Sequence, residues 1–101
     1  MPKRYAFRKD ANHTTIKSAF EACGAGVYDA SNDNAPYDLV VFWRGLPIFV
    51  EVKDPDKPPS KRKLTASAVQ FHDTARRHGV KVEIVEHVAQ AYALLGGRVT
   101  A

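Results

Sequence analysis

The sequence predicts a single mixed α/β domain spanning residues 1–101, with elements in the order helix, three strands, helix, strand, helix. Three observations predict it. Ile16, Ala19, Phe20 and Cys23 recur at helical spacing near the start. Two apolar runs of β-forming residues, YDLVVFW and LPIFVEVK, stand only two residues apart. A chain of 101 residues, 45% of them hydrophobic, suits one compact core and is too short for two.

The elements follow in order. The first helix is expected over Ala11 to Cys23, capped by Asp10 or Asn12 and stopped by Gly24. His13, Lys17 and Glu21 then run down a second face at spacing four. A short strand, GVYDAS, precedes the turn residues NDNAP. Arg44-Gly45 between the next two apolar runs reads as a tight hairpin, with both faces apolar and expected to be covered. DPDKPPSKRK carries three prolines and reads as a basic loop over 54–64. A second helix is expected from Thr65 to His78, ended by Gly79. VKVEIVE alternates as a strand does. The last helix places Val88, Ala91, Tyr92 and Leu95 on one side.

Composition excludes several classes. No apolar run approaches the ~18 residues of a membrane span. The start, MPKRYAFRKDANH, is basic but has no apolar core of the kind a secretory signal needs. Cys23 is the single cysteine, so no internal disulfide forms, which suits the cytoplasm; it reads as a small buried hydrophobe. The formal net charge of +4 favours a polyanionic partner. The cations are clustered. Lys3, Arg4, Arg8 and Lys9 form a basic arm over 1–9, and Lys57, Lys61, Arg62 and Lys63 lie in the loop. A solvated surface accounts equally well for any one such cluster.

The charges inside LPIFVEVK carry the chemistry. Centred on Arg44-Gly45, the hairpin pairs residues whose numbers sum to 89, so Asp38 faces Glu51. Opposed residues point to the same side of a sheet, and Lys53, two further on, shares it. Two carboxylates side by side repel, and a hard divalent cation, Mg²⁺ or Mn²⁺, offsets that repulsion. The Val52 carbonyl offers a third oxygen. Lys53 would stand beside the activated water or the phosphate. The basic loop, stiffened by proline and joined directly to Lys53, can reach flanking phosphates. Taken singly, Glu51 and Lys53 also read as a solvated strand end, and Asp38 as a turn residue. The four histidines lack metal spacing with one another and receive no site role. Trp43 reads as core, with base stacking open to it and to Tyr37.

Asp38 followed by Glu51-Val52-Lys53 resembles the signature of the PD-(D/E)XK nucleases. The longer stretch, with KLT and then Gln70 on the second helix, is similar to the virus-type replication–repair nuclease family, VRR-NUC, especially its small stand-alone phage and prophage members. The resemblance covers about Asp10 to Leu95. It implies a restriction-endonuclease-like fold and metal-dependent hydrolysis of DNA. It implies that Asp38, Glu51, Lys53 and Gln70 are the catalytic set, with Glu21 as a further acid on the first helix. It also points to homodimers that cut four-way junctions or other branched DNA. One departure is Ala35-Pro36-Tyr37-Asp38, where the family usually has Gly-x-Pro-Asp. The expectation is a Mg²⁺- or Mn²⁺-dependent endonuclease of a bacterial or phage-infected cytoplasm. The alternative is a non-catalytic nucleic-acid-binding or assembly module that keeps the fold.

Overall fold

A computed structural model describes residues 12–61 and 63–99. The basic arm over 1–9, Arg62 and the side chain of Lys61 lie outside the described part. The order is α1 (His13–Ala22), β1 (Gly26–Asp29), β2 (Leu39–Trp43), β3 (Leu46–Val52), α2 (Ala66–Arg77), β4 (Glu83–Val85) and α3 (Val88–Val99), as the sequence predicts. Pro59–Lys61 make a short 3-10 turn within the basic loop. The strands form one sheet in the order β1-β2-β3-β4, antiparallel except for the β3–β4 pair. That parallel pair requires a crossover, and α2 supplies it.

The hairpin register is the expected one. Leu39↔Val50, Val41↔Ile48 and Trp43↔Leu46 all sum to 89. Arg44 (φ 52°) and Gly45 (φ 82°) both have positive φ, the primed turn whose twist matches its strands. The chain leaves α1 at Gly24 (φ 92°), two residues past its last helical residue Ala22, where the Gly24 and Ala25 amides donate to the Glu21 and Phe20 carbonyls. Thr65 caps α2, its hydroxyl accepting from the Ala68 amide at 3.1 Å.

The core lies on one face of the sheet. Leu39, Val41, Ile48, Val50 and Val52 are buried there under Ile16, Ala19 and Phe20 of α1 and Ala91 and Leu95 of α3. Trp43 packs at its edge and donates from Nε1 to the Leu95 carbonyl at 3.2 Å. The opposite face departs from expectation. Among the described elements only α2 is available to cover it, and its apolar stripe is short. Phe71 packs against Phe49 and Tyr37, with ring centroids 5.0–5.5 Å apart. Beyond that trio, Tyr28, Phe42 and Ile84 stay about half exposed.

Three other expectations are corrected. Cys23 is exposed, because the helix ends at Ala22 and the next residue turns to solvent. Tyr92 is exposed, since Ala91 and Leu95, flanked by Val88 and Leu94, form the inward face of α3. His13 is 3% exposed, because it extends the stripe of Ile16 and Phe20 rather than that of Lys17. None of the described helices is long and apolar enough to cross a membrane.

Candidate active site

The site forms where β2 begins and β3 ends. Asp38 stands one residue ahead of β2 and is tied on three sides. Its amide donates to the Val50 carbonyl at 3.0 Å, and its carbonyl accepts from the Ala30 amide at 2.8 Å. Its Oδ2 accepts from the Val52 amide at 2.7 Å. The ladder therefore stops at Leu39↔Val50, and Asp38 does not pair with Glu51 as the extended register requires. Instead its side chain reaches along β3 past Glu51. In a strand the N–H and C=O of one residue face the same neighbour. The Val52 carbonyl thus opens on the side of Asp38.

Glu51 and Lys53 project from the less covered face, while Val52 between them enters the core at 2% exposure. Glu51 is buried at 8%. Its two oxygens have different neighbours: Oε2 lies 3.4 Å from Lys53 Nζ, and Oε1 lies 3.9 Å from His72 Nε2. Lys53 Nζ also donates to the Lys63 carbonyl at 3.4 Å, so the far end of the basic loop closes onto this lysine. The loop begins with Asp54, whose carboxylate accepts from the Asp56 amide. Its carbonyl accepts from the Lys57 amide.

This arrangement already softens the repulsion between the carboxylates. An N–H faces Asp38 and an ammonium faces Glu51, so neither charge depends on an ion to be tolerated. Among the described residues no three His, Cys, Asp or Glu side chains are gathered around one point. The chemistry of the donors still fits a divalent cation. Two carboxylates and a carbonyl are hard oxygen ligands, and the buried His72 Nε2 has no hydrogen-bond partner.

His72 is the residue that sequence reasoning missed. It lies on the inward face of α2, four residues after Ala68 and next to Phe71. Burial lowers its pKa, and the Lys53 charge lowers it further, so the imidazole is neutral at neutral pH. The signal was its place on the Ala68–Phe71–Ala75 stripe, where a histidine is out of keeping. Gln70 is exposed and lines a pocket on α2 together with Val69, His72, Asp73 and Arg76. Glu21 is elsewhere. It pairs with Lys17 at 3.3 Å in the last turn of α1, which feeds β1 at Gly26 opposite Phe42, the hairpin-turn end of the sheet.

The start of α1, by contrast, braces the site. Asn12 does not cap its helix with its side chain. Its Nδ2 donates to the carbonyls of Lys53 (2.9 Å) and Glu86 (2.8 Å), joining the ends of β3 and β4. His13 Nε2 lies 3.1 Å from Asp29 Oδ2, and Asp29 Oδ1 accepts from the amide and hydroxyl of Ser31. Burial pushes the Asp29 carboxyl up, but the Ser31 hydrogen bonds and His13 outweigh it and hold it well below the usual carboxylate range.

Compared with solved structures, the chain is similar to one described as a VRR_NUC domain, with a TM-score of 0.60 and 28% identity. The match covers 86% of this chain and 97% of the other. No family model matches the sequence. No curated protein matches it either.

Proposed function

We propose that the chain, which is similar to a VRR_NUC domain, is a nuclease of that family: a metal-dependent DNA endonuclease that prefers branched substrates. One observation carries the proposal: Asp38, Glu51, Val52 and Lys53 are brought to one end of the sheet by hydrogen bonds and an ion pair. Asp38, Glu51 and the Val52 carbonyl are the residues to hold Mg²⁺ or Mn²⁺, which when bound supplies the Lewis acidity that phosphodiester hydrolysis by water requires. Asp38 is oriented by the Val52 amide and cannot swing away without stranding that donor. Lys53, steadied by the Lys63 carbonyl, offers its ammonium to the phosphate oxygens on which charge builds. Lys57, Lys61, Arg62 and Lys63 hold the flanking phosphates. A symmetric cut across a four-way junction needs two sites in fixed relation, which a two-fold homodimer of this cytoplasmic protein provides.

The test is a cleavage panel of single-stranded, duplex, flap and four-way-junction DNA, with and without Mn²⁺. Metal-dependent nicking, strongest on the branched substrates, is the expected result. Pure protein that binds all four and nicks none would replace the enzyme with a non-catalytic binding module. Neutralising Lys61, Arg62 and Lys63 together should lower the salt slope of binding by up to about 0.9 for each phosphate that the variant no longer neutralises. Light scattering that shows only an 11.2 kDa species with junction DNA would remove the dimer.

A further inference from the structure

Glu51 presents two oxygens to two different partners. Lys53 Nζ lies 3.4 Å from Oε2 and already neutralises that side. His72 Nε2 lies 3.9 Å from Oε1, beyond hydrogen-bond reach. A direct proton-sharing contact is therefore not what holds His72 there. Its Nε2 is buried and has no hydrogen-bond partner, an arrangement that is unfavourable unless a ligand completes it. The imidazole comes from α2, whereas Asp38, Glu51 and Val52 all come from the hairpin, so it approaches the carboxylate from above the sheet.

We infer that His72 Nε2 is a nitrogen ligand of the cation held by Glu51, and that it biases the site toward Mn²⁺ over Mg²⁺. The inference rests on the metal-nuclease reading above. Metal–nitrogen and metal–oxygen bonds are each about 2.0–2.2 Å long, so one ion can span a separation of up to about 4.4 Å. The observed 3.9 Å falls within that reach. Imidazole is a softer donor than carboxylate or carbonyl. It favours transition ions along the usual affinity order, whereas Mg²⁺ takes oxygen ligands in a strict octahedron. A site of oxygens alone would discriminate weakly between the two ions, and one imidazole tilts it.

The protein without DNA is titrated with Mn²⁺ and with Mg²⁺ by calorimetry, and the Mn²⁺ complex is examined by pulsed electron paramagnetic resonance. Wild type should bind Mn²⁺ more tightly and show ¹⁴N coupling. His72→Ala should lose that coupling and about tenfold or more of its Mn²⁺ affinity, with Mg²⁺ affinity changed less than about threefold. His72→Gln, which keeps the bulk and offers an amide oxygen, should retain Mg²⁺ binding without the Mn²⁺ preference. It serves if the alanine variant fails to fold by circular dichroism. Equal weakening of both ions in a folded variant, or ¹⁴N coupling that survives removal of His72, would overturn the assignment and leave the nuclease reading intact. Wild type that binds neither ion would overturn both.

Discussion

The two faces of the sheet are built for different ends. On one, α1 and α3 close over Leu39, Val41, Ile48, Val50 and Val52 with almost no exposure, and the His13–Asp29 pair stands at its margin. On the other, the one described helix, α2, rests through Phe71 on the rings of Tyr37 and Phe49, and Glu51, Lys53 and His72 sit in the gap it leaves. The closed face holds the strands rigid, and the open face uses that rigidity to place charges. One strand serves both, because its side chains alternate: Val50 and Val52 anchor, while Glu51 and Lys53 face the site.

That division can be broken from either side. Glu51→Gln or Lys53→Ala should reduce cleavage by at least about 10²–10³-fold, measured as nicking rate, while DNA binding stays measurable. Near-normal turnover of Glu51→Gln would mean that the open face is not the active face. Phe20→Ala should act oppositely, costing about 3–5 kcal/mol in denaturant unfolding because it empties the centre of the closed face. Phe71→Ala should cost less, about 1–2 kcal/mol, because its ring is only half buried and its partners are two other rings. Its effect on cleavage should exceed its effect on stability, since α2 carries His72. Equal losses from Phe20→Ala and Phe71→Ala would show that both faces support the fold alike.

Local substitutions sharpen the boundary. Asp38→Ala should cost about 1–3 kcal/mol by stranding the Val52 amide, whereas Asp38→Asn keeps an acceptor and should leave the apo melting temperature nearly unchanged. Asp29 makes a pH prediction. Its carboxyl titrates below its unfolded value, so the unfolded chain binds more protons in acid. Its stabilisation is therefore complete above about pH 4 and is lost as pH falls below that. Asp29→Asn should flatten the melting temperature between about pH 2 and 4. An unaltered acid limb would leave the His13–Asp29–Ser31 cluster without electrostatic weight.

Much of this was readable in the residues. Element order and hairpin register followed from apolar periodicity and from Arg44-Gly45, because strand pairing and turn length constrain each other. Asp38, Glu51, Val52 and Lys53 emerged together for the same reason. Their detailed geometry did not. Counting across the hairpin placed Asp38 against Glu51, but Asp38 lies outside the ladder and turns to the Val52 amide. Gln70 was assigned by likeness alone; it is exposed and lines one pocket with His72, which no motif pointed to. Asn12 looked like a helix cap, since a short polar side chain at a helix start ordinarily serves there. Its partners lie 41 and 74 residues away, a separation no local pattern reveals.

The long reach of Asn12 sets an order on events during synthesis. The strand end that carries Lys53 is joined through Asn12 to Glu86. While the ribosome is still making α2, that brace has only one of its two acceptors. β3 likewise lacks its parallel neighbour β4 along that edge. The hairpin and α1 can assemble early from nearby segments, as low-separation contacts do. The edge that bears the site is completed only after residue 86 has emerged. A nascent chain stalled before that point would carry Asp38, Glu51 and Lys53 without the brace that fixes their strand.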